Sequence, residues 1–488
     1  MTDRPNILLL MADQLGAPWL EHAITPNIDR LGRDGVSFVN AYSNSPLCAP
    51  ARYAMLSGQL NSRIGAYDNA AEFASSIPTF AHHLRGAGYQ TSLIGKMHFV
   101  GADQLHGFEE RLTTDIYPAD FGWTPNWDDP EGRFDKWFHN MDSVIHAGIT
   151  NVSNQLDYDD EVGFQAVRKI RNLARTADDR PFMATVSFTH PHDPYVARRE
   201  FWDCYDHDAI PLPDVGPLPD PDPHSRRLSH VISASATTVT DEHIRNARHA
   251  YLANITYVDR QIGRILDALT EHGMQDNTVV LFTSDHGDML GERGLWYKMN
   301  FFEPSGRVPM ILHAPGRIEP GVVTTATSLL DIAPTLLDLA GVEIPDSLDG
   351  GSLLSIGRDD SARTVLGEYL GEGAIAPIFM IRRGHEKFVW SSPDPAQLYD
   401  LANDPYELDN IATSHPHAGD YVAEIHETWD VAAIDNAVRS NQQARACVDR
   451  ALRQGRYTAW DFQPTTDASS QYMRNHLDLN DVESSRRA

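Results

Sequence analysis

Nothing in the 488 residues approaches the roughly 20 consecutive apolar residues that a membrane-spanning helix needs, so no such span is expected. The opening residues, MTDRPNILLLMADQ, hold one Arg and then a short apolar run, and they end in acid rather than at a small-residue cleavage site. They read as a buried strand, not a secretion signal. Cysteine is also scarce. Cys48, Cys204 and Cys447 are far apart and odd in number, which excludes a disulfide framework and favours the cytoplasm. Basic residues are outnumbered, 40 against 68 acidic ones, for a net charge of −28. Nucleic acid is therefore not an expected partner, because its phosphates demand a basic face. A cationic small molecule is compatible, although solubility is the ordinary use of such carboxylates.

Apolar residues make up 41% of the chain, enough for a sizeable core. PNILLLMAD (5–13), RPFMATVSFTH (180–190) and NTVVLFTSD (277–285) are short apolar runs that read as central strands; VSFVNAY and YQTSLIGK read as strands as well. TPNIDRLGRDG (25–35) has helix signals, with Thr25 as N-cap, Pro26 in the first turn and Gly35 past the end. IPTFAHHLRGAG and SLLDIAPTLLDLAG (328–341) read as further helices. Between 241 and 272 the apolar residues recur at three and four, one face of a long helix. Six prolines in 208–224 exclude helix and central strand there. This alternation predicts an α/β fold with a mostly parallel sheet, in which ligands bind beyond the carboxyl ends of the strands. Asp13, Lys96, His190 and Asp285 all fall at that edge.

NSPLCAPAR (44–52) places Cys48 beside a helix start, with Pro50 in the first turn and Arg52 one turn in. The helix dipole there favours negative charge. By residue type alone, a buried structural cysteine is the commoner use.

The wider pattern changes that balance. Cys48-Ala49-Pro50-Ala51-Arg52 has the C-x-P-x-R form of the type I sulfatases, and NILLLMADQ, GKMH (95–98) and TSDHGDMLGERG (283–294) follow the order of that family's motifs. The chain resembles this family over roughly residues 1–400. The resemblance implies an alkaline-phosphatase-like α/β/α sandwich with a small C-terminal antiparallel sheet domain. The expected divisions are 1–365 for the catalytic domain, 366–440 for the small domain and 441–488 for an oligomer-forming tail. It further implies that a maturation enzyme converts Cys48 to formylglycine. The hydrated aldehyde is a geminal diol: one hydroxyl attacks sulfur, and the other loses its proton to release sulfate. Asp13, residue 48, Asp285 and His286 match the metal ligands, and Arg52 the residue that steadies the diol. Lys96 and His98 match the sulfate-binding pair, and His190 and Lys298 the groups at the leaving oxygen. His192 and Asp193 are read as packing or support, and Glu242, Asp259 and Asp267 as solvated helix residues.

Gln14 stands where many sulfatases have a second Asp, and His286 where many have Asn. One carboxylate fewer and one imidazole more move the site from an all-oxygen cage towards one that also accepts manganese or zinc. Calcium is the first expectation, with manganese or magnesium open. The same departures occur in choline sulfatases and in phosphonate monoester and phosphodiester hydrolases. HGFEERLTTDIYPADFGWTPNW (106–127) and YMRNHLDLNDVE (472–483) resemble the choline sulfatases. Choline's quaternary ammonium donates no N–H hydrogen bond, so aromatic faces and carboxylates suit it. Phe121, Trp123, Trp127, Phe134, Trp137 and His139 are the aromatic supply. Trp123 and His139 lead, and the resemblance adds Glu372 and Asp478, the latter reaching over from a neighbouring subunit. A homo-oligomer, a dimer of dimers, is expected. The expected reaction is hydrolysis of choline-O-sulfate to choline and sulfate. The alternatives are a phosphonate monoester, a phosphodiester or another sulfate ester. Retention of the nucleophile and metal residues disfavours a non-catalytic relative.

Overall fold

The computed structural model describes residues 4–129, 131–132, 139–358, 360–456 and 460–462. The runs with no helical stripe become the centre of an eight-stranded sheet. Its members are β1 (Asn6–Asp13), β2 (Val36–Phe38), β3 (Gln90–Gly95), β4 (Glu110–Arg111), β5 (Phe182–Pro191), β6 (Thr278–Ser284), β7 (Met310–His313) and β8 (Gly321–Val323), in the order β8-β2-β7-β6-β1-β5-β3-β4. From β6 through β4 the strands are parallel. Only β7 runs against its neighbours.

Strand alternation divides the core into two layers. Leu8, Leu10 and Ala12 of β1 pack with α3 (Asn154–Leu173) and α4 (Asp241–Glu271). Ile7, Leu9 and Met11 pack on the other face with α2 (Cys48–Ser57) and α5 (Ile332–Leu339). This is the expected α/β/α sandwich. Two local expectations change. VSFVNAY is not one strand: Val39 and Asn40 turn, and Ala41–Tyr42 joins a separate three-stranded sheet. Thr25 does not cap α1 (Pro26–Asp34); its hydroxyl donates to Asp29 Oδ1 at 2.9 Å. The free amides of Asn27 and Ile28 donate instead to Asp259 Oδ1, at 3.0 and 2.8 Å. Asp259 is therefore buried rather than solvated, because it supplies the acceptor that the helix start lacks.

A four-stranded antiparallel sheet follows, β9 (Thr364–Tyr369), β10 (Ile378–Arg383), β11 (Glu386–Ser391) and β12 (Gln397–Asp400), with α6 (Ala418–Thr428) and α7 (Val431–Leu452) after it. Among the described residues no helix is long and apolar enough to cross a membrane.

Candidate active site

β1 ends at Asp13, Lys96 follows β3, and Asp285 and His286 follow β6, so three parallel strands deliver four polar side chains to one edge. Across it lies the first turn of α2, which begins at Cys48 itself and carries Pro50 at its third position. Leu47 precedes the helix and has no side chain able to cap it; Asn69 Oδ1 accepts from Ala49 N at 2.9 Å in its place. Cys48 is buried, with Sγ 3.2 Å from His286 Nε2 and 3.8 Å from Asp13 Oδ1.

Arg52 organises the acids. Its Nε donates to Asp285 Oδ2 at 2.8 Å, its Nη2 lies 3.5 Å from Asp13 Oδ2, and its Nη1 donates to Lys96 O and Ser187 Oγ at 2.7 and 2.8 Å. Lys96 Nζ forms a close ion pair with Asp13 Oδ2. Burial opposes charge on Asp13, but Lys96 and Arg52 overcome it and hold the carboxyl well below the usual range. Burial lowers His286 to about 4 against the pull of Asp285, so its ring is neutral at neutral pH. Its Nδ1 lies 3.0 Å from Gly287 O, a bond in which Nδ1 donates, and Nε2 is left facing the acids.

Asp13, Cys48, Asp285 and His286 each offer a donor atom within 4.8 Å of the others. Two carboxylates, an unprotonated imidazole nitrogen and residue 48, all buried, fit a divalent cation. Gln14 turns elsewhere: its Oε1 accepts from Lys298 Nζ at 2.5 Å, and its Nε2 donates to Asp288 Oδ2 at 2.6 Å. His98 is held by its backbone, its N donating to Asp115 Oδ2 at 2.8 Å, while both ring nitrogens are buried without a hydrogen-bond partner among the described residues.

A cavity of about 400 Å³ opens onto Cys48 and is lined also by Tyr117, Trp123, His139, His192, Lys298 and Glu372. Two lysines stand in or beside it. Lys298 Nζ lies 2.9 Å from His192 Nε2, and Lys96 Nζ sits 4.3 Å over the Tyr117 ring. Glu372 contributes a buried carboxylate whose Oε2 has no hydrogen-bond partner among the described residues; burial and then Asp68 push it up to about 8. His139 stacks on Tyr297, centroids 4.3 Å apart, and its Nδ1 is 3.3 Å from Asp193 Oδ1.

His190 is not part of this cavity. Its Nδ1 lies 2.7 Å from Asp159 Oδ2, and its ring meets Tyr257 edge-on. Ser187 points at Arg52, and a residue three further along a strand faces the opposite side, here towards α3 and α4. The turn after β5 brings His192 and Asp193 back to the cavity, so these two are more than packing. That strand parity was the signal available in the sequence. Phe121 packs edge-on against Trp460, and Trp127 Nε1 donates to Gly371 O at 3.0 Å; neither lines the cavity. Phe134, Trp137 and Asp478 lie outside the described residues. Asn69, Tyr117 and Asp68 carried no signal in the sequence.

The family model described as sulfatase matches residues 5–342. A model for the N-sulphoglucosamine sulphohydrolase C-terminal region matches 291–431, and one for the choline sulfatase C terminus matches 436–487. A choline-sulfatase of Rhizobium meliloti (strain 1021) is 51% identical over all of this chain and 99% of its own length. An arylsulfatase of Clostridium perfringens (strain 13 / Type A) is 32% identical, covering 86% of this chain and 93% of its own. Among solved structures, a phosphonate monoester hydrolase of Silicibacter pomeroyi superposes with a TM-score of 0.69 at 25% identity, over 87% of this chain and 94% of its own. The chain belongs to the sulfatase family, and it is a sulfuric ester hydrolase.

Proposed function

We propose that the enzyme hydrolyses choline-O-sulfate to choline and sulfate, using a formylglycine made from Cys48 and one divalent cation, calcium first. The observation that carries the substrate is the pairing, in one cavity beside Cys48, of lysines with a buried acid and an aromatic ring. Lys298 lines the cavity with Cys48, Lys96 lies over the lining Tyr117, and Glu372, with an oxygen that no donor among the described residues satisfies, lines it with Trp123. A buried carboxylate lacking a donor suits a cation that has no N–H to give. The full-length likeness to a choline-sulfatase supports the same assignment.

The bound cation supplies charge neutralisation at the sulfuryl oxygens, and the hydrated formylglycine supplies the attacking oxygen. The rest falls to side chains of this chain. Asp13, Asp285 and His286 hold the cation, and Arg52 fixes both acids in place. Lys96 binds a sulfate oxygen. His98, with two unpartnered ring nitrogens, takes the proton whose loss frees sulfate. Lys298 and His192 meet the leaving oxygen, the role expected of His190 passing to its neighbour because only His192 reaches the cavity. Trp123, His139, Glu372 and a tail acid, Asp478 of a neighbouring subunit, receive the ammonium. The maturation enzyme and a homotetramer in the cytoplasm belong to this reading.

Steady-state kinetics with choline sulfate, an aryl sulfate, an aryl phosphodiester and a phosphonate monoester test the substrate. The highest kcat/KM is expected for choline sulfate, and dominant phosphodiester or phosphonate turnover would reject it. A peptide mass spanning residue 48 tests the nucleophile, the aldehyde form being expected.

A further inference from the structure

Three walls of the cavity lead back to one helix far along the chain. On α7, Val438, Gln442 and Arg445 recur at four and three and are the residues of that helix that become buried. Arg445 reaches inward and grips Asp68 with both arms of its guanidinium, Nη1 to Oδ1 at 2.7 Å and Nη2 to Oδ2 at 2.6 Å. The pair is almost fully buried, side chains 4% and 0% exposed. The same Nη1 lies 3.2 Å from Thr124 Oγ1, and Nε donates to Asn441 Oδ1 at 2.6 Å. One turn earlier, Gln442 Oε1 accepts from Trp127 N at 3.0 Å.

Each of these partners adjoins a cavity residue. Asp68 precedes Asn69, which lines the cavity and caps α2 beside residue 48. Thr124 follows Trp123. Trp127 donates to Gly371 O, next to Glu372. A planar fork with both arms on one carboxylate fixes angle as well as distance. We propose that Arg445 is a positioning residue for the pocket that receives the substrate's cation. Through Asp68 and Thr124 it sets where Asn69 and Trp123 stand, so α7 helps determine which sulfate ester is preferred. This rests on the choline reading above.

The test compares choline sulfate with 4-nitrophenyl sulfate, which has no ammonium, in wild type, Arg445→Lys and Arg445→Met. Asp68→Asn/Arg445→Met provides a variant with no stranded buried charge. Folding is checked by circular dichroism. The ratio of kcat/KM for choline sulfate to that for the aryl ester is expected to fall at least about tenfold in Arg445→Met and in the double variant, chiefly through KM. Arg445→Lys, which keeps the charge and loses the fork, should fall between. Equal losses on both esters in the folded double variant, or an unchanged ratio, would overturn the positioning role. If wild type itself shows no preference for choline sulfate, the substrate reading fails and this inference falls with it. A preference that survives in the variants defeats this inference alone.

Discussion

His190 and His192 are two residues apart and differ in everything that chemistry reads. His190 is tied by Nδ1 to Asp159 on α3, and His192 accepts from Lys298 on the cavity wall. His192→Ala should lower kcat/KM for choline sulfate by roughly 10²–10⁴, the usual worth of acid–base help at a leaving oxygen, because the neutral ring accepts through Nε2 from the Lys298 ammonium and holds that donor in place. His190→Ala should instead lower the melting temperature and leave a larger share of kcat; comparing the two variants side by side checks this. Glu372 makes a second prediction. Its carboxyl is raised from the ordinary 4.5 to about 8, so it carries a proton in the empty pocket at neutral pH. A quaternary cation favours the charged form, so choline affinity should strengthen as pH climbs towards 8 and then level. Calorimetric titration should show that slope vanish in Glu372→Gln. The stability sign runs the other way. Ionising a buried acid costs the native state nothing below pH 4.5 and progressively more up to 8. Glu372→Gln should therefore melt above wild type at pH 8.5 and level with it at pH 4.

At the scale of elements, Gly95 shows how closely strands must meet to aim the site. It closes β3 at φ +103°, and a Cβ there would stand 2.0 Å from Ser187 O of β5. Lys96, the next residue, owes its place against Asp13 to that approach. Gly95→Ala should cost about 2 kcal/mol or more, from strain and from separated strands, read as a drop in denaturation midpoint together with lost activity. Such features decide what could be foreseen. The central strands were readable because both their faces are buried and their apolar runs are unbroken. Asp13, Lys96 and Asp285 were readable with them, because strand ends collect at one edge. Cys48 and Arg52 were legible through a motif rather than through periodicity. The side taken by His190 follows strand parity, which was there to be read, whereas the return of His192 to the cavity depends on the turn after β5. The work of Asp259 depended on a helix start more than 230 positions away in the chain, as its bonds to Asn27 and Ile28 show. Neither local pattern nor residue type encodes a contact of that separation. Arg445 and Asp68 escaped notice for the same reason, being 377 positions apart.

The whole molecule carries a net charge of −28, yet the two buried aspartates of the site are balanced by neighbouring cations. Asp13 and Asp285 already have Arg52 and Lys96 beside them, so loss of the divalent cation should not unfold the enzyme. Treatment with EDTA should abolish turnover and lower the melting temperature by a few degrees, and added calcium or manganese should restore both. A melting curve that ignores chelator and metal alike would count against the cation site. Burial of residues 48–52 has one more consequence. Cys48, Pro50 and Arg52 are all buried, Cys48 with 1% and Arg52 with none of its surface exposed. Any catalyst that recognises those side chains must work before they are enclosed, on chain still emerging or held open. On the formylglycine proposal, whether a given copy becomes active would then be decided at its birth.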